Sequence, residues 1–200
     1  RIVLGGAANV AANIKTLGCD VKLVGLVGNC VNSREIKKLL KIKKIKNNLL
    51  KLNKYYLTKK TRILSNQNQI VRLDNDSAEI YHDQQKLNKI LIKEIKGINI
   101  LIISDYNKGT IKNLNQIISI ANKKKIKVLI DSKKKDLRQF QNSYLIKPNE
   151  KEFRKIFSID LSGKNSNSKI IKKLKENRIK NLLLTLGKKG MKHYSYESVK

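Results

Sequence analysis

The stretch Ile98-Asn99-Ile100-Leu101-Ile102-Ile103-Ser104-Asp105-Tyr106-Asn107-Lys108-Gly109 decides the fold. Its apolar run, Ile98 to Ile103, suits a central parallel strand, which is buried on both faces and needs no polar alternation. A carboxylate, Asp105, and an ammonium, Lys108, follow at once. Ligands of open α/β sheets gather at the carboxyl ends of the parallel strands, so polar groups in that place carry chemistry. A helix cap followed by a surface lysine accounts for the same residues structurally.

Working outward, strands alternate with helices, which predicts an α/β fold with a central, mostly parallel sheet flanked by helices. Arg1 to Leu4 reads as the end of a strand, Ala7 to Leu17 as a helix, Val21 to Leu26 as a strand and Arg34 to Ile45 as a Lys-rich amphipathic helix. From Lys54 to Asp74 the sequence turns β-like, with Tyr55-Tyr56, Thr61 to Ser65 and Gln69 to Leu73, and Asn66-Gln67-Asn68 as a turn. A hairpin interrupting an αβ series reads as a small flap, about residues 54–74. Beyond it, Gln84 to Ile95 and Ile111 to Lys124 are helical and Val128 to Ile130 and Tyr144 to Ile146 are short strands. Asn149 to Phe157 and Lys169 to Lys175 make two more helices, Ser162 to Ser168 a surface loop, and Asn181 to Thr185 the last central strand.

With 200 residues, 40% of them apolar, the chain can bury one sizeable core. No apolar run approaches the ~18 residues of a membrane span and no basic stretch precedes an apolar one as in a signal peptide, so a cytoplasmic location is expected. Cys19 and Cys30 are too far apart for a CxxC pair and read as buried small residues. A net charge of +30 would suit nucleic acid. The lysines, however, are scattered over every segment, with no basic stripe and no aromatic platform, which argues against that partner and fits the codon bias of an AT-rich genome.

Four further segments are chemically loaded. In Leu4-Gly5-Gly6-Ala7-Ala8-Asn9 two glycines let a helix N-terminus approach a polar ligand, although a tight strand-to-helix turn needs the same residues. Asp131-Ser132-Lys133 places an acid and a base at a strand end. In Lys147-Pro148-Asn149-Glu150-Lys151-Glu152, Asn149 and Glu152 share one face of a first helical turn, where they could hold a hydrated magnesium ion or close a capping box. Thr185-Leu186-Gly187-Lys188-Lys189-Gly190 suits phosphate contacts through backbone N–H groups, or a glycine-marked hairpin turn.

In this order the motifs resemble the PfkB family of carbohydrate kinases, with the ribokinase-like fold, from Gly5 to about Met191. The segments KKTRILSNQNQIVRLD, LIISDYNKG, VLIDSKKKDLRQFQNSYLIKPNEKEF and LLLTLGKKGM are similar in particular to the heptose 7-phosphate kinases of that family, whose kinase domain belongs to a bifunctional enzyme of lipopolysaccharide synthesis. The resemblance implies phosphorylation of D-glycero-D-manno-heptose 7-phosphate at the anomeric oxygen, on the way to ADP-heptose, with ATP and Mg2+. It assigns Gly5, Gly6 and Asn9 to the sugar hydroxyls, Arg62, Arg72 and Lys108 to the sugar or its phosphate, and to Asp105 a binding or structural part. Lys133, Asn149, Glu152, Thr185, Gly187 and Gly190 fall to the nucleotide, with Asn149 and Glu152 serving magnesium through water. It also implies pairing of two copies through the flap.

There are departures. The GxDxxG loop of the family is here Gly28-Asn29-Cys30-Val31-Asn32-Ser33, and the subfamily's DPK is Asp131-Ser132-Lys133, which keeps both charges. The GAGD segment that carries the family's catalytic base, most of the first strand and a nucleotidyltransferase half with its HxGH-type motif have no counterpart among these residues. A partial kinase domain over residues 1–200, incomplete at both ends and with no general base of its own, is therefore expected. A non-catalytic remnant that retains sugar-phosphate or nucleotide binding, another PfkB sugar kinase and a basic anion-binding protein are the alternatives.

Overall fold

The computed structural model describes residues 2–53, 55–66, 68–75 and 83–195. They form two compact units, Arg1–Glu94 with Lys108–Thr110, and Ile95–Asn107 with Ile111–Lys200.

The first unit runs α1 (Gly6–Thr16), β1 (Lys22–Val27), α2 (Val31–Ile42), β2 (Lys46–Lys51), β3 (Lys59–Ser65), β4 (Asn68–Asn75) and α3 (Gln84–Glu94). Strands β1 and β2 pair in parallel, from Lys22 opposite Lys46 to Val27 opposite Lys51. Because successive strand side chains point to opposite faces, Leu23 joins Leu4, Ala8, Ala11 and Ala12 around α1 and Leu40 of α2, while Leu26 packs with Leu87 of α3. Ala8, Ala11 and Ala12 form the buried face of α1 in this cluster.

Several expectations change here. Strand β2 is absent from the sequence reading, since Lys-Asn-Asn-Leu-Leu-Lys has neither β-branched residues nor clean alternation. It forms because Lys44, at φ 52°, follows the end of α2 and the chain then pairs with β1. Ile2 to Leu4, expected as a strand end, pair with no strand among the described residues: Ile2 and Val3 are exposed and Leu4 is buried against α1. Arg1, Lys54 and Gln67 lie outside the described residues, and Tyr55-Tyr56 precede the hairpin without joining it. The expected burial of both cysteines is also corrected. Cys19 is exposed just after the Gly18 turn, and Cys30 is half-buried at the start of α2.

The flap is an antiparallel β3–β4 hairpin with Arg62 opposite Arg72 and Ile63 opposite Val71, and an irregularity after Ile63. Every described residue of both strands is exposed. In the loop after β1, the Ser33 hydroxyl accepts the Gly28 N–H at 3.1 Å and lies 3.2 Å from the Cys30 sulfur. The backbone of Tyr55 passes so near that a Cβ on Gly28 would overlap the Tyr55 carbonyl.

The second unit contains β5 (Ile100–Asp105), α4 (Leu114–Asn122), β6 (Lys127–Ser132), β7 (Leu145–Ile146), α5 (Glu150–Phe157), α6 (Ser166–Glu176), β8 (Asn181–Thr185) and β9 (Met191–Ser195). Its sheet has the order β5-β6-β7-β8-β9, parallel as far as β8 and antiparallel at β9. Helix α4 packs on β6, α5 on β8 and α6 on β9. Val128, Ile130, Ile146, Leu182 and Leu184 of the strands are buried, as are Phe153 and Phe157 of α5, whose rings stack with centroids 4.6 Å apart.

Strand β5, expected at the centre, is an end strand of this sheet among the described residues. Ile103 and Asp105 lie on its buried face, whereas Ile100 and Ile102 on the other face are 49% and 41% exposed. Strand β9 is a further addition, paired with β8 across the glycine turn. Helix α6 begins at Ser166, inside the stretch expected as loop. Helix α4 starts later than Ile111 because Asn113 caps it, accepting the Gln116 N–H at 3.1 Å.

Replacement of Gly28 by alanine is expected to destabilise the chain by about 1–3 kcal/mol through overpacking. Gly5→Ala, whose Cβ would meet nothing within 4 Å, is expected to stay within about 0.5 kcal/mol of wild type. Urea unfolding of the two variants checks this, and equal effects would contradict the close approach at Gly28.

Candidate active site

Parallel pairing sets Asp105, the last residue of β5, opposite Ser132, the last of β6. Asp105 is buried, and its Oδ1 accepts the Asn107 N–H at 2.9 Å while its Oδ2 accepts the Ser132 hydroxyl at 3.1 Å. Its main-chain carbonyl takes the Lys133 N–H at 2.9 Å. The carboxylate at the strongest apolar run is thus tied into the strand ends.

Beyond β7, Pro148 leads into the extended Asn149, whose Oδ1 accepts the Glu152 N–H at 2.9 Å. Glu152 Oε2 in return accepts the Asn149 N–H at 3.0 Å, closing a capping box at the start of α5. The other oxygen, Oε1, accepts the Lys133 ammonium at 2.9 Å. That ammonium lies 5.8 Å from the centre of the Tyr106 ring, and Lys147 pairs with Asp131 at 3.1 Å. The hydrogen bond to Glu152 is the main influence lifting the Lys133 pKa above its ordinary value, with burial opposing it. At Glu152, burial alone would raise the carboxyl, but the Asn149 N–H, the Lys133 ammonium and the field of Lys147 together hold it below its ordinary value.

Strand β8 brings Thr185 to the same place. Asn149 and Thr185 form a parallel bridge, with the Thr185 N–H on the Pro148 carbonyl at 3.0 Å. Gly187 and Gly190 follow with φ of 61° and 81°, a backbone that L side chains rarely adopt. The Leu186 N–H closes this turn on the Gly190 carbonyl at 2.8 Å.

Lys133, Asn149, Glu152, Thr185 and the Gly187–Gly190 turn therefore share one end of the five-stranded sheet, with Asp105 beneath them in the strand ends. Asp131, Ser132, Tyr106 and Lys147 belong to the same cluster, although the sequence reading did not place them among the site residues. Their signal was position: Asp131 and Ser132 end one strand, and Lys147 immediately follows another.

In the first unit, Gly5 is the extended residue before α1 and Gly6, at φ 53°, opens the helix. The Asn9 N–H bonds the Gly5 carbonyl at 3.3 Å and the residue is exposed. Arg62 and Arg72, directly opposite on the hairpin, project to one face. Arg72 pairs with Asp74 at 2.9 Å, and the other oxygen of that carboxylate lies 3.9 Å from the Lys60 ammonium. Lys108 is exposed and groups with this unit.

Among the described residues no group of three or more His, Cys, Asp or Glu side chains could hold a metal ion directly. Asn149 and Glu152 fit a hydrated magnesium ion instead. Their donors are oxygens, and a carboxylate with two hydrogen bonds keeps lone pairs for the waters of such an ion. No helix among the described residues is long and apolar enough to cross a membrane.

A profile described as "pfkB family carbohydrate kinase" matches residues 1–199. The "Bifunctional protein HldE" of Aliarcobacter butzleri is 38% identical over 195 residues, covering 94% of this chain and 41% of that protein. An "Uncharacterized sugar kinase" of Buchnera aphidicola is 35% identical over 187 residues, covering 94% of this chain and 60% of that protein. The chain thus spans less than two thirds of the length of these relatives. Among solved structures, phosphofructokinase-2 of Escherichia coli in complex with fructose-6-phosphate superposes with a TM-score of 0.81 at 22% identity, covering 98% of this chain and 66% of that one. A ribokinase of Arabidopsis thaliana complexed with ribose and ATP gives 0.72 at 17% identity, covering 98% and 64%. These likenesses show the ribokinase-like fold.

The depressed Glu152 pKa has a direct consequence. Its contribution to stability is fully present above the ordinary value of 4.5 and is lost as pH falls through the lower folded value. Glu152→Gln is expected to lower stability at neutral pH by about 1 kcal/mol and to flatten the acid decline below pH 4.5. Unfolding midpoints taken from pH 7 downward check this, and parallel acid declines in the two proteins would contradict it.

Proposed function

Because the chain belongs to the pfkB family of carbohydrate kinases, we propose that residues 1–200 are part of the kinase domain of an ATP-dependent sugar kinase acting at C1 of D-glycero-D-manno-heptose 7-phosphate. The observation that carries this reading is the joining of Lys133, Glu152 and Asn149 beside Thr185 at one sheet end. An ammonium, a carboxylate, an amide oxygen and a hydroxyl on a glycine turn are what a nucleotide triphosphate with its magnesium ion requires. The heptose assignment is supported by the similarity to HldE proteins, at 33–38% identity, and by the paired Arg62 and Arg72.

Each residue then has a part. Lys133 contacts the ATP phosphates, and Asn149 and Glu152 hold Mg2+ through its waters. When bound, the ion neutralises phosphate charge as the phosphoryl group transfers. The N–H groups of Thr185, Leu186, Lys189 and Gly190 are spent on main-chain partners, so the main-chain phosphate donors on this turn narrow to the N–H groups of Gly187 and Lys188, beside the Thr185 hydroxyl. Arg62 and Arg72 grip the phosphate already on the sugar, because a planar guanidinium offers paired, charge-assisted hydrogen bonds. Gly5, Gly6 and Asn9 face the sugar hydroxyls, and Lys108 the sugar or its phosphate. Ile63, Leu64, Ile70, Val71 and Leu73 leave the hairpin with exposed apolar side chains, and we assign the flap as the surface through which two copies pair. None of these residues is given the part of general base. Asp105 has both carboxylate oxygens on hydrogen bonds within the strand ends.

Calorimetric titration with D-glycero-D-manno-heptose 7-phosphate, fructose 6-phosphate and inorganic phosphate at two salt concentrations tests the reading. Saturable binding that prefers the heptose, weakened roughly tenfold by Arg62→Ala or Arg72→Ala, is expected. Equal binding of all three ligands, falling steeply with salt, would mean that the lysines attract anions without a sugar site.

A further inference from the structure

Ser132 sits between the charged residues of the β6 end and has no part in the roles assigned above. Strand alternation turns it away from Asp131 and Lys133 and toward Asp105, its partner in the register. Only 6% of Ser132 and 3% of Asp105 is exposed. The Ser132 hydroxyl donates to Asp105 Oδ2 at 3.1 Å and accepts the Lys134 N–H at 3.2 Å. The Lys133 N–H goes to the Asp105 carbonyl at 2.9 Å. The main chain on both sides of Lys133 is thus anchored to one buried pair, and the carboxylate of that pair is itself fixed by the Asn107 N–H at 2.9 Å.

The Lys133 side chain is held at its tip, by Glu152, and not along its stem. Half of it, 51%, is exposed, and among the described residues its ammonium meets the Glu152 carboxylate and lies 5.8 Å from the centre of the Tyr106 ring. A lysine carries its charge on a flexible four-carbon stem, so where the ammonium can reach is governed by where its Cα is held. An alanine at 132 would leave a buried carboxylate oxygen and the Lys134 N–H without their partner, and the strand end could shift to satisfy them.

We infer that Ser132, whose hydroxyl is held by the buried Asp105 carboxylate and itself holds the Lys134 N–H, is a positioning residue that fixes the main chain at Lys133 and so aims its ammonium at the nucleotide phosphates. This rests on the nucleotide site proposed above and adds to it a residue that touches neither ligand.

The test is Mg-ATP affinity of the full chain by calorimetry for Ser132→Ala, Ser132→Thr, Lys133→Ala and the double variant Ser132→Ala/Lys133→Ala, with a thermal melt of each to verify folding. Ser132→Ala is expected to weaken Mg-ATP roughly tenfold, as for loss of a hydrogen bond to a charged group, while Ser132→Thr, which keeps the hydroxyl, stays within about twofold. On the Lys133→Ala background, Ser132→Ala is expected to add nothing, because its effect passes through the missing ammonium. A merely structural serine would lower the melt and leave affinity unchanged. Should Ser132→Ala not fold, Ser132→Thr and Ser132→Val, alike in shape and differing in the hydroxyl, give the same comparison. Wild-type affinity in Ser132→Ala, equal losses in the Thr and Ala variants, or additive losses in the double variant would each overturn the inference while leaving the nucleotide site in place. Unchanged affinity in Lys133→Ala would overturn both.

Discussion

Parallel pairing is the constraint on which the candidate nucleotide site depends. Strands β5, β6, β7 and β8 run in one direction, so the residues after each apolar run emerge at the same end of the sheet whatever their distance in sequence. Asp105, Ser132, Lys133, Asn149 and Thr185 are brought together in this way. The ion pair of Lys133 with Glu152 follows from it and does not cause it. A pair this exposed is worth at most about 1 kcal/mol, too little to organise a sheet. Its value lies in holding a cation and a carboxylate ready where phosphate and magnesium would share them.

Glu152 serves two structures at once. One oxygen closes the α5 capping box and the other meets Lys133, so an ion held through Asn149 and Glu152 would be placed by the same bonds that start the helix. This economy explains why the spacing Asn149-x-x-Glu152 supported two readings in the sequence. A capping box and a magnesium-serving pair need the same residue types three apart, and the structure shows the first while leaving lone pairs for the second.

Much of the second unit was legible, because Val128 to Ile130, Asn149 to Phe157 and Asn181 to Thr185 carry strong local patterns. What escaped was set by tertiary pairing. Strand β2 has little β propensity and exists because β1 offers it an edge, and β9, with its mixed Met191-Lys192-His193-Tyr194-Ser195, needs β8 beside it. The run at Ile98 was legible as a strand but not as an end strand, since an apolar run states hydrophobicity and not how many neighbours cover it. At the site, the strand-end position of Asp131-Ser132-Lys133 was readable, whereas the partner of the Ser132 hydroxyl was not. A serine in a strand looks neutral until the register reveals a buried carboxylate opposite.

The flap presents a different electrostatic problem. Arg62 and Arg72 sit opposite each other across the hairpin, where like charges repel; Asp74 offsets Arg72 in part, and an anionic ligand would offset the rest. Sugar phosphate and nucleotide should therefore leave separate footprints on the chain. Amide hydrogen exchange, with heptose 7-phosphate and with Mg-ATP added one at a time, measures them directly. The kinase reading predicts protection confined to the β3–β4 hairpin and the start of α1 with the sugar phosphate, and to Lys133, the start of α5 and the Gly187–Gly190 turn with Mg-ATP. Weak protection spread over the lysine-rich surface, the same for both ligands and abolished by salt, would contradict it.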